Sequence, residues 1–168
     1  MPSSGNAALV LSLLLGLTVG ASAETPLPAA LTAAGETAVL TVHARGDQIY
    51  QCKAGDNQQA AWTFIEPIAT LEADGKLVGR HSAGPTWELS DGSAVVGKAV
   101  ANAPGTNANA IAWLKLEVTS HKGSGKLDGV TTVQRINTVG GKLDGACDRP
   151  GQTRSMPYTA DYVFLRKG

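Results

Sequence analysis

The sequence predicts an all-β domain, a single antiparallel β-barrel or β-sandwich with one short N-terminal helix at most. Clusters of Gly, Asp and Asn recur along the chain and separate short runs rich in β-branched and aromatic side chains. Several of these runs alternate apolar and polar residues, the period of a strand with one buried face. No segment after Gly35 keeps the apolar period of an amphipathic helix. These three observations favour a sheet protein.

The N-terminal residues predict an export signal. Residues 7–23 are uncharged and mostly apolar, and they end in Ala21-Ser22-Ala23, the small-x-small pattern that precedes signal peptidase cleavage. The run is too short for a membrane-spanning helix. We therefore expect a secreted or periplasmic protein with no transmembrane segment in the mature chain. Its predicted parts are a signal peptide at 1–23, an N-terminal extension at 24–37 and a β-rich domain at 38–168.

The predicted elements follow in order along the chain. Pro28 and Gly35 bracket the one short helix. Asp-Gly pairs in the repeated Gly-Lys-Leu-Asp-Gly, at 125–129 and 141–145, predict two turns because this dipeptide accommodates positive φ. Arg45-Gly46-Asp47 resembles the integrin tripeptide but is better interpreted as a hairpin turn. The predicted strands are residues 38–44, 48–53, 61–65, 68–72, 77–81, 86–89, 94–101, 111–119, 130–139 and 161–166.

Composition limits the classes of function. The chain has 14 basic and 14 acidic residues and no net charge, which argues against nucleic acid as a partner. Cys52 and Cys147 are the two cysteines, and in an exported chain they are expected to pair. Two free buried thiols are the alternative. The sequence does not indicate the oligomeric state.

The densest polar and aromatic stretch is residues 79–88. His81 could act as a base or ligand because its ordinary pKa lies near neutrality, and Glu88 could act as acid or base. Trp87 offers a flat face to a sugar or another ring. The alternative interpretation is a strand end, a Gly-Pro turn and a new strand whose Trp enters the core.

A second candidate group lies in the predicted strand 130–139. Alternation places Arg135 and Asn137 on one face, where they would form a floor for an anionic or hydroxylated ligand. The alternative is that Arg135 lies over apolar neighbours with its charge in solvent. In the predicted strand 111–119, Leu114 and Leu116 belong to the core side, and Trp113 faces the other way.

Catalytic and metal motifs are absent from the sequence. His43, His81 and His121 lack metal-ligand spacing, and there is no Gly-x-Ser-x-Gly elbow or Gly-x-Gly-x-x-Gly fingerprint. Carboxylates that could serve a glycosidase are Glu66, Glu88 and Asp91, whose separation the sequence does not give. We therefore expect no metal and no cofactor, and the sequence favours a protein that is not an enzyme.

Several short motifs occur in order along the chain: Tyr50-Gln51-Cys52, Trp62 with Pro67, Gly79-Arg80-His81, Pro85-Thr86-Trp87, residues 111–116, residues 133–138 with Gly140-Gly141, Cys147 and residues 157–162. This ordered set resembles a family of exported bacterial and fungal proteins catalogued as a domain of unknown function. The resemblance covers nearly the whole mature domain and implies a secreted β-rich fold with a Cys52–Cys147 bridge. It supplies no catalytic residues. Some relatives carry a malate dehydrogenase label, which the missing dinucleotide fingerprint does not support.

Three functional hypotheses remain. The first is an exported module that binds a carbohydrate or another cell-envelope component through His81, Trp87, Glu88, Arg135 and Asn137. The second is a hydrolase or lyase that uses His81 with Glu88 or Asp91, which requires these side chains to share a face. The third is a structural or stress-associated envelope protein without a small-molecule site. Complete burial of both Trp87 and Trp113 would favour the third hypothesis.

Overall fold

The structure is a computed structural model that describes Met1 and residues 26–55 and 59–168. The predicted signal peptide after Met1 lies outside the described residues. Within the described ranges, no helix combines the length and the apolar composition that crossing a membrane requires.

Eight antiparallel strands form one closed barrel in which each strand pairs with its neighbours in chain order. This confirms the all-β prediction and selects a barrel over a sandwich. One 3-10 turn, Ala29–Leu31, precedes the barrel. The strands are β1 Glu36–Ala54, β2 Ala60–Ala73, β3 Lys76–Ser82, β4 Thr86–Leu89, β5 Ala94–Ala103, β6 Trp113–Lys122, β7 Thr132–Gly140 and β8 Thr153–Lys167.

Two predicted breaks between strands are wrong. Arg45-Gly46-Asp47 lies inside β1 and pairs with β2 and β8 on its two sides, so it is not a hairpin turn. Gly46 is needed there because a Cβ atom at this position would overlap the backbone of Ile68 and Ala69. The predicted strands 61–65 and 68–72 likewise belong to one strand, β2, which passes through Pro67 and has a register shift opposite Ile49 and Tyr50.

The core lies inside the barrel. Inward-facing side chains alternate along each strand and form one hydrophobic cluster that includes Trp87, Tyr162 and Phe164. The predicted core side of β6 is confirmed, since Leu116 is buried and Leu114 packs against the same cluster.

The N-terminal segment covers part of the outer wall. Leu31 of the 3-10 turn packs on Ala103 and Trp113, and the Gln134 Nε2 atom donates to the Leu31 carbonyl oxygen at 2.7 Å. Trp113 therefore faces away from the barrel interior, as predicted, yet it is buried under this segment.

The barrel has two different ends. One end, here called the closed end, carries the connections 74–75, 90–93 and 123–131. Leu127 and Val130 of the last connection are fully buried and belong to the core, so they plug this end.

The other end, here called the open end, carries the connections 83–85, 104–112 and 141–152. A disulfide joins Cys52, near the end of β1, to Cys147 in the 141–152 connection, which confirms the predicted pairing. The same connection is also held to β2, because Ala146 forms a β-bridge with Ala61. The disulfide and the β-bridge together hold this loop over one side of the open end.

Candidate functional site

Two adjoining cavities occupy the open end. The first, the loop cavity, has a volume of about 590 Å³ and lies between Gln48, Tyr50 and the 104–112 connection. The second, the aromatic cavity, has a volume of about 340 Å³ and is bounded by His81, Trp87 and Tyr162. The two cavities share Phe64, Leu114 and Arg135 in their walls.

The aromatic cavity is built on the β3–β4 hairpin. The register pairs His81 directly with Trp87, and both side chains point inward. Their rings stack with centroids 4.6 Å apart and an interplanar angle of 11°. Tyr162 of β8 meets both rings edge-on, at 4.9 Å from His81 and 5.2 Å from Trp87. These contacts fix one wall of the cavity.

His81 is held as a neutral ring. Its Nδ1–H donates to the Thr86 carbonyl oxygen at 2.8 Å, which leaves Nε2 as the acceptor nitrogen. Burial lowers the pKa of His81 to about 4, the nearby Arg135 charge acts in the same direction, and the Thr86 hydrogen bond opposes both. The ring therefore contributes an acceptor, and no positive charge, at neutral pH.

Arg135 stands at the junction of the two cavities. On β7 it lies between Leu114 of β6 and Tyr162 of β8. Its Nε and Nη2 atoms donate to the Ala112 carbonyl oxygen at 3.0 and 2.9 Å, which holds the guanidinium in place. In the described part of the chain, neither cavity wall contains Asp or Glu. Among the described residues, none of the ion pairs involves Arg135.

Four buried polar groups of the barrel interior have no hydrogen-bond partner in the described part of the chain. They are Gln48 Nε2, Trp87 Nε1 and the hydroxyls of Tyr158 and Tyr162. Tyr158 lies close enough to Tyr162 and Gln48 for both to affect its pKa, and Arg135 acts in the same way on Tyr162, but none of these contacts has hydrogen-bond geometry. Burial is the main cause that raises the pKa of both tyrosines, so both hydroxyls keep their protons.

Glu88 does not join His81. Because side chains alternate along β4, Glu88 points outward while Trp87 points inward. Both Glu88 carboxylate oxygens accept from Arg80 Nη2 at 3.1 Å on the outer surface. Asp91 lies at the closed end and binds Ser93 and the Lys126 backbone. The acid–base pairs that the hydrolase hypothesis requires are therefore not formed.

Asn137 is separated from Arg135, although alternation placed both on one face. The β7–β8 register shifts between Ile136 and Val139, and Asn137 has a positive φ of 52°. Its side chain is exposed and donates to Asp161 Oδ2 at 2.8 Å; the other Asp161 oxygen bonds His43. Asn137 therefore belongs to an outer-surface group.

Both tryptophans in question are buried: Trp87 is 1% exposed and Trp113 is 2% exposed. By the criterion set from the sequence, this burial favours a structural protein. Only Trp113, however, is covered by the chain's own N-terminal segment. Trp87 forms the wall of a cavity, so its burial is also what an internal ligand site requires.

The sequence did not indicate two cavity residues, Gln48 and Tyr162, or the buried Tyr158 near them, as site candidates. Tyr162 alternates with Phe164 along β8, and the same alternation, extended backwards by two steps, reaches Tyr158. Gln48 gave no signal of this kind, because a lone polar residue in a strand usually faces solvent.

The fold defines a class, the closed eight-stranded antiparallel barrels. Residues 33–166 match the family model described as protein of unknown function (DUF3455), and the chain belongs to this family. The family resemblance found in the sequence is thereby confirmed. No curated protein and no solved structure matches the chain.

Proposed function

We propose that this chain is an exported binding protein that holds a small ligand inside the open end of its barrel. The observation that carries the proposal is the pair of adjoining cavities, about 590 and 340 Å³, with mainly apolar walls and a few buried polar groups. That size and lining are typical of small-molecule sites. Closed eight-stranded barrels are otherwise filled by their own side chains.

The walls favour a ligand with an apolar part. Leu114, Leu116 and Phe64 contribute aliphatic and aromatic surface, and His81, Trp87 and Arg135 are the predicted site residues that line these cavities. Glu88 and Asn137 lie outside the proposed site. Stacking of a carbohydrate on an open Trp face has less support, since the Trp87 ring already packs on His81 and Tyr162. An amphipathic component of the cell envelope fits better.

Export is part of the proposal. The Cys52–Cys147 disulfide supports an oxidising environment, because such bridges persist mainly outside the cytosol. The leader-like residues 7–23 point the same way.

The proposal is tested by filling the cavities with a larger side chain. Leu114 borders both cavities, so Leu114→Trp fills them. Leu77→Trp is the matched control, because Leu77 is 67% exposed on the outer wall. The probe is N-phenyl-1-naphthylamine, a neutral apolar dye whose fluorescence rises on binding. We expect saturable one-to-one binding by the native chain and by Leu77→Trp, and binding at least about tenfold weaker by Leu114→Trp.

Equal dye binding by all three chains would place the dye elsewhere and refute the cavity as the site. No binding by the native chain would favour the structural-protein hypothesis. Thermal unfolding of each variant shows whether Leu114→Trp is folded; if it is not, Ala99→Phe at the mouth of the aromatic cavity replaces it, with Lys98→Phe on the outer side as its control.

A further inference from the structure

We infer that the ligand is a small organic monoanion of the carboxylate class, bound with its charged group on Arg135 and its apolar body in the aromatic cavity. The inference rests on the proposed binding function and names the chemistry of its ligand.

The first argument is charge. Arg135 is partly buried inside the barrel, and two of its N–H groups are used by the Ala112 carbonyl oxygen. A guanidinium has five N–H donors, so three remain for other acceptors. No acidic side chain of the described residues lines either cavity, and a partly buried charge without a counter-charge is unfavourable. A bound anion would supply the missing partner.

The second argument is the excess of donors. Tyr162 and Trp87 line the aromatic cavity with Arg135, and each carries a buried donor without a partner. Gln48 lines the loop cavity with Arg135, and its Nε2 atom is also unpartnered. Buried donors are normally satisfied in folded proteins. These donor atoms are covered by neighbouring side chains, so a ligand group rich in acceptors and poor in donors, such as a carboxylate, would satisfy them once the wall side chains rotate on binding.

The third argument concerns the number of charges. Lys142 also borders the loop cavity, but it already pairs with Asp144 at 3.1 Å. His81 is neutral because burial lowers its pKa to about 4. Arg135 is thus the cation of these walls that lacks an acidic partner among the described residues. One guanidinium neutralises one negative charge, which favours a carboxylate over a phosphate dianion.

The fourth argument is the placement of apolar surface. Arg135 sits at the junction of the cavities, so a ligand anchored there extends either way. The aromatic cavity opens past Phe64 and Ile65, which are 46% and 41% exposed. Exposed apolar side chains at a cavity mouth favour entry of an apolar body. The ligand therefore combines one acidic group with a chain or ring.

The experiment compares ligands that differ only in the head group. Decanoate, decan-1-ol and decylamine compete with N-phenyl-1-naphthylamine for the full chain, for Arg135→Gln and for Arg135→Lys. Arg80→Gln is the matched control, because Arg80 lies on the outer surface with Glu88. We expect native protein to bind decanoate at least about tenfold more tightly than decan-1-ol, as one charge-assisted contact allows. Arg135→Gln should abolish this preference, Arg135→Lys should keep most of it, and Arg80→Gln should leave it unchanged.

The outcomes separate the two proposals. If the dye binds in the cavity but decanoate and decan-1-ol compete equally, the binding function stands and the anion inference is wrong. Tighter binding of decylamine would also overturn the inference. If neither dye nor decanoate binds, the proposed function itself fails. Should Arg135→Gln not fold, Arg135→Lys with raised salt concentration provides the second measurement: the preference for decanoate must shrink with salt if charge causes it.

Discussion

The two ends of the barrel differ in their polar side chains: Asp91 and His121 at the closed end are exposed and hydrogen-bonded, whereas several groups at the open end are buried and lack partners among the described residues. At the closed end, Asp91 Oδ1 accepts from the Ser93 backbone at 2.9 Å and its hydroxyl at 2.6 Å, and Oδ2 accepts from the Lys126 backbone at 2.8 Å. The His121 ring also bonds the Val130 carbonyl oxygen at 2.7 Å. At the open end, Arg135 has no acidic partner among the described residues, and Trp87 and Tyr162 carry unpartnered donors.

Under the proposed function, this difference marks the open end as the end that binds the ligand. Leaving a buried donor unpaired costs about 1–3 kcal/mol, so such groups are rare in folded proteins. In this protein several unpaired buried donors lie beside a cavity of the open end. At the closed end, Leu127 and Val130 fill the interior. The closed end thus closes the core, and in the proposed function the open end binds the ligand.

The largest expected effect comes from the covalent tie of the open end. The Cys52–Cys147 disulfide closes a loop with a sequence separation of 95 residues. Replacing both cysteines with Ser should lower the free energy of unfolding by about 4 kcal/mol, measured by urea denaturation. Amide hydrogen exchange should accelerate first in residues 141–152 and later in 123–131.

Reductant provides the control for this variant. Dithiothreitol should destabilise the native chain to the level of the double Ser variant and leave that variant unchanged. If reduction accelerates amide exchange equally at the two ends, the disulfide stabilises the whole barrel uniformly. The expected difference between the open and closed ends would then be wrong.

The next effect is acid sensitivity at the open end. His81 has a folded-state pKa of about 4 against an ordinary value of 6.5, mainly because it is buried; Arg135 and Tyr162 face it from β7 and β8. The unfolded chain therefore binds a proton more readily between these values. The contribution of the neutral His81 to the free energy of unfolding is therefore complete above about pH 6.5. It is lost as the pH falls towards 4, and the loss amounts to about 3 kcal/mol.

His81→Gln removes this titration. We expect its free energy of unfolding to change about 3 kcal/mol less between pH 7 and pH 4 than that of the native chain. His43→Gln on the outer wall is the control and should keep the native acid sensitivity. An identical pH profile for the native chain and His81→Gln would contradict the buried, neutral state of this ring.

Much of the fold follows from local pattern. The two-residue period predicted strand β6 and its inward side, and the apolar run 161–166 predicted the C-terminal part of β8 without distinguishing its two faces. The paired Gly-Lys-Leu-Asp-Gly motifs predicted connections between strands. The two long strands were each predicted as two strands, β1 divided at Gly46 and β2 divided at Pro67, because both residue types often end a strand. Gly46 permits either a tight turn or a close approach of neighbouring strands, and only the pairing of β1 with β2 decides between them.

Part of the candidate site was also predictable from local pattern. His81 and Trp87 meet because 83–85 is short enough to form a hairpin, and the sequence already grouped them. Glu88 was included although it follows Trp87 directly, and strict alternation would have excluded it. Asn137 leaves the face of Arg135 through a register shift in β7 that no local pattern reveals. The unpartnered donors depend on distant strands and were beyond sequence reasoning.

The smallest expected effect concerns the closed end. Asp91→Ala removes two hydrogen bonds within the 90–93 connection and one that joins it to the 123–131 connection, so the free energy of unfolding should fall by about 1–2 kcal/mol. Hydrogen bonds from Lys126 and Ser93 lower the pKa of Asp91 below its ordinary 3.8, so this contribution is present above about pH 4 and is lost on further acidification. That window lies below the one in which His81 acts.

Asp144→Ala is the matched control, because Asp144 is a surface acid of the open end whose pair with Lys142 should contribute at most about 1 kcal/mol. Binding of N-phenyl-1-naphthylamine should be unchanged in both Ala variants, since neither acid lines a cavity. If Asp91→Ala weakens dye binding as strongly as Leu114→Trp, the closed end is coupled to the cavities and the two ends do not act separately. If Asp91→Ala lowers only the free energy of unfolding, the closed end contributes to stability and not to binding of the dye, as the comparison of the two ends predicts.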